Sequence, residues 1–442
     1  MDRDRSAIAH LYRRAGFGAR PGQLDDAVAA GYDATVDRLC DLTLPDPAAD
    51  AIAPPAFDTP ALLAGLRSGD QAATRRARAL ARADTVAAMV WWLRRMVAAE
   101  QPLREKLTWF WHGHFATSIQ KVRIPELMYA QNATLRRLGS GSFEALAASV
   151  VHDPAMLLWL DGTRNRKGSP NENLARELLE LFVLGHGHEG HQPYGEDDVA
   201  AAARSLTGLR IDRRGGGASI DPRRHDAGTK TFLGETGAWG PDDVVRIASG
   251  HPASAPFVVS RLWSRLGRPA MPDEAPVAEL AAAFSAADLD IASLCRRLFR
   301  HPEFLGAATR TGLVKSPVEW AVGCIRALGL GPEAVDERLL RGLAGLGQLP
   351  LRPPSVAGWP ENEAWLTTGA ALGRLEMADA LAAAADRGAL ERTGRAARPE
   401  AVARLLGVEA WGPATAGALA KAADDPHALL TLALVAPENL LA

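Results

Sequence analysis

Apolar residues recur every three to four positions along most of this chain, which is the spacing of one face of an α-helix. Runs that alternate apolar and polar residues are scarce, while Ala, Leu, Arg and Glu, which favour helices, dominate long stretches. The pattern predicts a mainly α-helical fold, a single large multi-helix domain with an irregular, glycine-rich insert in its middle at residues 213–240. A small two-stranded element is expected within this insert.

Glycine and proline clusters divide the pattern into separate helices. The segments predicted for the first part of the chain are two helices within residues 8–42 that separate at 16–18, followed by 72–100, 103–115, 124–138 and 143–151. No linker stands out, so residues 1–382 are predicted to form one helical domain with a central polar pocket. Residues 383–442 are predicted to be an Ala-rich helical portion that packs on the same domain.

One predicted helix carries more polar chemistry than its apolar face requires. It begins near Ser169, which can cap a helix, and Pro170, which suits the first helical position. Leucines and Phe182 recur at helical spacing and define its buried face. The polar residues on or beside that face are Asn171, Glu172, Asn173, Arg176 and Glu177. Such a helix either anchors a buried polar network or lines a functional site.

Composition and charge narrow the class of protein. The chain has 442 residues and a net charge of −2, so neither nucleic acid nor an anionic membrane is an expected partner. Its three cysteines form no CxxC pair, which argues against a disulfide framework and a thiolate metal site. No apolar run reaches the roughly 18 residues of a membrane span, and no signal peptide is visible. The sequence as written is expected to be cytoplasmic, or exported if a leader has been removed.

Two groups of histidines are candidates for metal binding. His112 and His114 lie two residues apart, so on a helix they point away from each other and would share a metal only near its end. One satisfied core histidine and one exposed histidine is the simpler interpretation. His186, His188 and His191 lie in a glycine-rich segment, where neutral imidazoles can close on a divalent metal. Exposed loop histidines are nevertheless commoner.

A third candidate is the irregular segment at residues 223–230. Asp226 could orient His225 or ligate a metal, and Lys230 could bind an anionic group. The alternative is a loop whose charges pair locally. The sequence motifs of phosphate-binding loops, serine-hydrolase elbows and HExxH zinc sites do not occur in the chain, and no GxGxxG pattern follows a predicted strand.

The carboxylates of the polar helix have two interpretations of similar weight. Glu172 and Glu177 could act as general bases or metal ligands once buried, because burial raises the pKa of a carboxyl group. In the alternative, Arg176 neutralises Glu172 within an internal network.

Nine short blocks of the chain follow one another in a distinctive order. They are residues 10–18, 110–115, 160–162, 165–168, 171–178, 203–208, 225–234, 315–319 and 353–360. In this order they resemble the bacterial family catalogued as domain of unknown function 1800. The resemblance covers most of the chain up to about residue 375.

The resemblance implies which polar residues belong to the family pattern. The second histidine of the aromatic-rich block is the fixed one in the family, which favours His114 over His112, and the loop histidines lie outside the pattern. The other implied signature residues are Asn171, Glu172, Asn173, Arg176, Glu177, His225, Asp226 and Lys230. Many family members carry an export leader and are encoded beside a sulfatase- or phosphatase-like protein, so the resemblance implies such a partner.

We expect His114, the polar helix and the 225–230 loop to converge on one pocket between helices. The first hypothesis is an enzyme that performs metal-assisted hydrolysis or group transfer on an unidentified small-molecule or peptide substrate. Its divalent metal, of unknown identity, would be held by His114, Glu177 and His225. The residues with acid or base roles would be Glu172, Glu177 and Asp226, and those that bind substrate would be Asn171, Asn173, Arg176 and Lys230.

Two further hypotheses use the same residues differently. In one, the chain is a non-catalytic accessory or binding protein, and the polar blocks are buried networks whose members must all be satisfied. In the other, Glu172 or Glu177 works with His225 in metal-free acid–base catalysis.

Overall fold

The structure is a computed structural model that describes residues 3–187, 192–212 and 217–441. Helices make up 64% of it and strands 5%, which confirms the prediction of a mainly α-helical fold. Among the helices in these ranges, none is both long and apolar enough to cross a membrane.

The first part of the chain is a series of helices joined by short loops. In chain order they are α1 Arg3–Arg14, α2 Gln23–Ala30, α3 Tyr32–Cys40, α4 Pro47–Asp50, α5 Thr59–Arg67, α6 Gln71–Ala98, α7 Pro102–His114, α8 Ile119–Val122, α9 Pro125–Leu138, α10 Phe143–Val151 and α11 Pro154–Trp159. The helix break predicted at residues 16–18 is present, and a second break follows at Gly31. This glycine has a φ of +91°, a backbone conformation that residues with a Cβ rarely adopt.

The polar segment and the glycine-rich insert follow. A 3₁₀ turn at Gly162–Arg164 leads to α12 (Asn173–Glu177), which continues into a π-helical segment at Leu178–Val183 and is followed by α13 (Glu196–Ser205).

Two antiparallel hairpins come next, where the sequence predicted one two-stranded element. In the first, β1 (Leu209–Ile211) pairs with β2 (Ala218–Ile220), and in the second, β3 (Lys230–Phe232) pairs with β4 (Glu235–Gly237). The second hairpin turns at Leu233 and Gly234, which both have positive φ, as a two-residue hairpin turn requires. Leucine is not a residue that signals this turn, which explains why the pattern did not reveal it.

The remaining helices complete the fold. They are α14 Pro241–Gly250, α15 Ser254–Leu266, α16 Ala275–Ser285, α17 Ile291–Arg300, α18 Ala307–Arg310, α19 Pro317–Ala327, α20 Glu337–Gly345, α21 Thr368–Ala384, α22 Gly388–Arg392, α23 Arg398–Leu406, α24 Pro413–Ala422, α25 Pro426–Leu434 and α26 Pro437–Leu440. The predicted boundary at residues 382–383 falls inside α21, and the division into two portions stays a prediction.

Two hydrophobic clusters hold these helices together. The first contains residues of α1–α3 and α10–α17, and the second joins α6 to α19–α25. Helix α7 contributes to both, with Leu107 and Trp111 in the first cluster and Trp109 in the second. Successive residues of a helix point in different directions, so an apolar helix between two clusters can serve each of them.

A buried carboxylate connects α6, α7 and α9 beside these clusters. Glu105 is 1% exposed and accepts hydrogen bonds from Arg95 Nε (3.1 Å), Arg136 Nε (2.7 Å) and Trp92 Nε1 (3.0 Å). Burial acts to raise the pKa of Glu105, but the two arginines outweigh it and hold the pKa below its usual value. Glu105 is therefore ionised, and its charge balances the half-buried Arg136 and, together with Asp50, the buried Arg95.

Candidate functional site

His114 lies at the end of α7 among aromatic rings. The ring centroids of Phe110, Phe115 and Phe257 lie 5.7, 4.7 and 6.1 Å from its own. Its Nε2 donates a hydrogen bond of 2.8 Å to the backbone carbonyl of Phe182, which lies in the last turn of the π-helical segment. Carbonyls in a last turn lack a partner within their own helix. His114 therefore closes the carboxyl end of the polar helix.

The other ring nitrogen of His114 carries a lone pair, because Nε2 is the donor. This Nδ1 is buried, and no hydrogen-bond partner reaches it within the described part of the chain. Burial, with a contribution from Arg261, lowers the pKa of His114 to about 3. The imidazole is therefore neutral at physiological pH, which is the form that binds metals.

The first residues of the polar segment form a turn instead of a helix. The backbone N–H of Asn171 donates to Asn165 Oδ1 (3.0 Å), and Asn171 Oδ1 accepts from the N–H of Asn173 (3.1 Å). The prediction that Ser169 caps the helix is wrong, because α12 begins at Asn173. A side chain that accepts from the backbone two residues on stabilises a turn in place of a helical start.

The charged residues of the polar segment pair on its outer side. Arg176 donates to both carboxylate oxygens of Glu196 at 2.9 and 2.8 Å and to Glu172 at 3.1 Å. Glu172 and Asn173 are exposed, and Arg176 and Glu177 are half-buried. The sequence anticipated the pairing of Glu172 with Arg176 as an alternative to a catalytic role, and Glu196 completes it.

Glu177 differs from the other acidic residues of this segment. Burial, followed by the nearby charge of Glu180, raises its pKa above the usual value. A raised carboxyl pKa suits an acid–base residue. In the described ranges, however, no hydrogen bond or ion pair connects Glu177 to His114 or His225.

The 225–230 block is tied down by local contacts. His225 Nδ1 donates to the carbonyl of Thr207 (2.9 Å), and Asp226 Oδ2 accepts from Arg204 Nε (2.8 Å). The hydrogen bond from Arg204, helped by one from a backbone N–H, lowers the pKa of Asp226 to about 2. The Nζ of Lys230 donates to the backbone carbonyl of Asp226, and burial lowers the pKa of Lys230.

Asn165 joins the polar segment to residues 203–208, and sequence analysis did not select it. This side chain is 2% exposed; its Oδ1 accepts from Asn171, and its Nδ2 donates to the carbonyl of Ala203 (2.8 Å). The N–H of Gly208 in turn donates to the Asn165 carbonyl (3.1 Å). The polar segment is thus bonded through Asn165 to residues 203–208, where the carbonyl of Thr207 accepts from His225. The described contacts of His114 lie on its aromatic neighbours and Phe182, and the convergence of the three polar blocks on one pocket stays a prediction.

The described residues contain no group of three or more His, Cys, Asp or Glu side chains placed to hold a metal ion. His186 lies 3.3 Å from Glu180, and His188 and His191 lie outside the described residues. The metal hypothesis stays a prediction.

A different charged centre lies where α1, α7 and α19 approach one another. It is a small cavity of about 30 Å³. Its charged lining residues are Arg13, Arg14, Lys106, Arg265, Lys315, Glu319 and Glu361. Lys106 pairs with Glu319, and Arg265 pairs with Glu361 at 2.9 Å, so each carboxylate already has a cation. The other three cations are in excess.

The three excess cations contact neutral acceptors. Arg13 Nη1 donates to the carbonyl of Gly407 (2.7 Å), and Arg14 Nη2 donates to the carbonyl of Thr309. Lys315 Nζ donates to the backbone carbonyl of Asn439 (2.7 Å) and more weakly to its Oδ1 (3.3 Å). None of these three cations forms an ion pair with a described carboxylate.

Several N–H groups of the two arginines have no acceptor. These are Arg13 Nε and Arg14 Nε and Nη1, all buried and without a hydrogen-bond partner in the described part of the chain. Arg14 itself is 1% exposed. Burial and then Arg13 lower the pKa of Arg14 to about 9, although Glu319 opposes the shift. A cation this deeply buried normally has a counter-ion.

A second cavity of about 250 Å³ shares a wall with the first. Arg13, Phe17 and Lys315 line both cavities. The other charged residues of the second cavity are Arg5, Arg20, Asp25 and Arg404, and Asp25 pairs with Arg5. Positive charge therefore exceeds negative charge on both sides of Lys315.

The described residues define a mainly α-helical protein with a cationic cavity between its first helix and α19. The chain belongs to the DUF1800 family, described as a protein of unknown function, whose family model matches residues 10–441. The search of curated proteins and the search of solved structures each found no match. The family assignment confirms the resemblance seen in the sequence.

The cavity residues were within reach of sequence analysis, which did not select them. Arg13 and Arg14 belong to the 10–18 block, and Lys315 and Glu319 to the 315–319 block, both of which carried the resemblance. The available signal was the pair of adjacent arginines inside an otherwise apolar segment, Ile8 to Ala15. A helix has one apolar face, so two neighbouring charges in such a segment bring at least one of them into the interior.

Proposed function

We propose that this protein binds a small anion in the cationic cavity, between Arg13, Arg14 and Lys315. One observation carries the proposal. Arg13 and Arg14, two of the three excess cations of the cavity, have buried N–H groups without hydrogen-bond acceptors. Burying one uncompensated ion costs several kcal/mol, and an unmatched buried donor adds about 1–3 kcal/mol. A bound anion would offset both costs.

The chemistry of the lining suggests which anion fits. Guanidinium groups present pairs of N–H donors that match the oxygens of a carboxylate, sulfate or phosphate group. Because Glu319 and Glu361 each have their own cation, they repel an anion only weakly. Three unmatched cations favour a ligand with more than one negative charge, and the free space of about 30 Å³ beside them limits the bound group to a small one.

The contacts of the polar blocks favour the accessory interpretation for those residues. His114 closes a helix end, Asn165 joins three backbone segments, and Asp226 pairs with Arg204. Each of these contacts satisfies a buried or half-buried polar group, which is what a structural network does. The proposed anion site therefore lies at α1 and α19, and the polar blocks support the scaffold around it.

Metal-assisted hydrolysis or group transfer remains a second proposal for His114, Glu177 and His225. Its supporting observation is the buried, unpartnered Nδ1 of His114, a neutral nitrogen of the kind that ligates metals. The sulfatase- or phosphatase-like partner, the cytoplasmic or exported location and the identity of any substrate likewise stay predictions.

The anion proposal is tested by melting the protein in sulfate and in chloride at equal ionic strength. We expect the melting temperature to rise with sulfate concentration, because a ligand that binds only the folded state stabilises it. Arg13→Gln should abolish most of this rise. Arg94→Gln is a matched control, because Arg94 is also half-buried and also donates to one backbone carbonyl, that of Val335, but lines neither cavity.

Two results would overturn the proposal. One is a wild-type melting temperature that responds equally to sulfate and chloride. The other is an equal loss of the sulfate response in Arg13→Gln and Arg94→Gln, which would assign the effect to general charge rather than to the cavity.

A further inference from the structure

We propose that Lys315 forms a reversible imine with a carbonyl group of the bound anion, so that the ligands of the cavity are small anionic aldehydes or 2-oxo acids. This inference rests on the proposed anion site, because the arginines would hold the acidic group of the ligand while its carbonyl carbon meets Lys315. The inference adds a covalent step to the anion site. It thereby restricts the ligands to anions that carry a carbonyl group.

The position of Lys315 is the first argument. Its side chain lies in the wall between the two cavities, with Arg13 and Phe17 beside it, and it is half-buried rather than sealed in the core. A small ligand in either cavity therefore has the Lys315 side chain in the wall beside it. An anionic group held by Arg13 and Arg14 would place an adjacent carbonyl group on the Lys315 side of the cavity.

The partners of Lys315 are the second argument. Within the described part of the chain, its Nζ donates only to the carbonyl and amide oxygens of Asn439, which are neutral. Lys106 lines the same cavity but is paired with Glu319, and Lys121 is paired with Asp161 at 2.7 Å. A carboxylate partner keeps an amine protonated and unreactive, and among these lysines only Lys315 lacks one.

The charges around Lys315 act in the same direction. Burial, followed by Arg13, lowers the pKa of Lys315 to about 7, with Arg14 adding to the shift and Cys324 and Glu319 opposing it. Arg374 lies on the remaining side and donates to the Lys315 carbonyl. About half of the amine is then free base at neutral pH, and a desolvated lysine beside other cations is a recognised nucleophile towards carbonyl groups.

The proposed step balances without an oxidant or reductant. The free amine nitrogen adds to the carbonyl carbon, and a proton passes from nitrogen to the former carbonyl oxygen, which gives a carbinolamine. Loss of water then forms the carbon–nitrogen double bond, and protonation of this nitrogen gives a cationic imine beside the acidic group of the ligand. Hydrolysis by water reverses each of these steps.

The test uses glyoxylate as the probe and sodium cyanoborohydride to reduce any imine to a stable secondary amine, followed by peptide mass spectrometry. The chain has six lysines, so each can be followed separately. We expect Lys315 to be modified on the order of a hundredfold faster than exposed Lys167 or Lys421. An ordinary lysine amine, with a pKa near 10.4, is free base in only about four molecules in ten thousand at pH 7, and the lower intrinsic nucleophilicity of a less basic amine offsets part of this difference. Lys106 is the control within the same cavity.

Two variants separate reactivity from folding. Lys315→Arg retains a cation that can donate to Asn439 but cannot form the imine, so it should abolish the modification at this position while Lys167 and Lys421 are modified at the wild-type rate. Arg13→Gln should slow the modification of Lys315 and leave that of Lys167 unchanged. Sulfate should compete with glyoxylate for the site.

The outcomes distinguish this inference from the proposed function. If sulfate stabilises the protein but Lys315 is modified no faster than Lys106 and Lys167, the covalent step is wrong and the anion site stands. If Lys315 is modified quickly but neither sulfate nor Arg13→Gln affects the rate, the amine is reactive without an anion site, and the inference as stated fails together with the proposed function.

Discussion

The affinity of the cavity for sulfate should fall as the pH rises through about 7, because Lys315 then loses its charge. The pKa of Lys315 is lowered to about 7, while those of Arg13 and Arg14 lie near 10 and 9, so Lys315 is the first of the three cations to be neutralised. Sulfate is the appropriate ligand, because its own charge does not change in this range. Raising the pH from about 6 to about 8 therefore removes the charge of Lys315 while the charge of sulfate stays constant.

The size of the effect follows from the charge and the number of protons. A unit charge at about 4 Å from an anion, at an effective dielectric constant of 20, contributes about 4 kcal/mol. Above the pKa of Lys315 in the unliganded protein, sulfate binding takes up at most one proton. The sulfate affinity can therefore fall by at most about tenfold per pH unit, or about 1.4 kcal/mol. From about pH 6 to about pH 8 we therefore expect the affinity to fall by up to roughly tenfold.

The stability of the unliganded protein should change in the opposite direction. The folded-state pKa of Lys315 lies below that of the unfolded chain, so between about pH 7 and about pH 10.5 the unfolded state binds more protons. The Lys315 contribution to the free energy of unfolding therefore increases with pH across this window. Below the folded-state pKa the cost of the buried charge is fully present.

Isothermal titration with sulfate, in a chloride background of constant ionic strength, measures the effect directly. Lys315→Met should bind sulfate more weakly than the wild type at about pH 6 and show little change up to about pH 8. Sulfate affinity that is constant or increases with pH in the wild type would refute the reasoning. So would a Lys315→Met variant with the wild-type pH dependence, because the titrating group would then lie elsewhere.

Three further predictions concern the scaffold and the metal hypothesis. Glu105→Gln should lower the free energy of unfolding in urea by about 3–5 kcal/mol, because the half-buried Arg136 loses its counter-ion and the buried Arg95 keeps only the exposed Asp50, and a loss below about 1 kcal/mol would contradict this. His114→Ala should lower it by about 2–4 kcal/mol, since a cavity and an unpaired carbonyl remain, whereas Glu177→Gln should stay within about 1 kcal/mol of the wild type. Elemental analysis should find a near-stoichiometric metal that His114→Ala and His225→Ala lose if the metal hypothesis holds. Well-folded wild type that takes up no Zn, Mn, Fe or Cu would refute it.

Local patterns predicted the helices well where apolar spacing and a cap agree. The segments predicted at 72–100 and 143–151 appear as Gln71–Ala98 and Phe143–Val151. Their starts are set by Asp70 and Ser142, whose side chains accept from backbone N–H groups of the first turn. Such determinants lie within a few residues of the helix, so the sequence contains them in readable form.

The start of the polar helix is a feature that the local sequence did not predict. Ser169 and Pro170 have the types expected at a helix start, but the helix begins at Asn173, because Asn165 holds the N–H of Asn171. Asn165 is itself fixed by Ala203, a residue far along the chain. A tertiary hydrogen bond thus overrode the local preference for a cap.

The sequence by itself determined the helical class of this protein, its family and the presence of two adjacent arginines in an apolar helix. Only the tertiary structure placed Arg13 and Arg14 beside Lys315, about three hundred residues away, and paired Glu319 with Lys106. The physical reason is that helical periodicity is a property of neighbouring residues. The balance of charge in a cavity depends on which distant side chains packing brings together, and on which of them already have a partner.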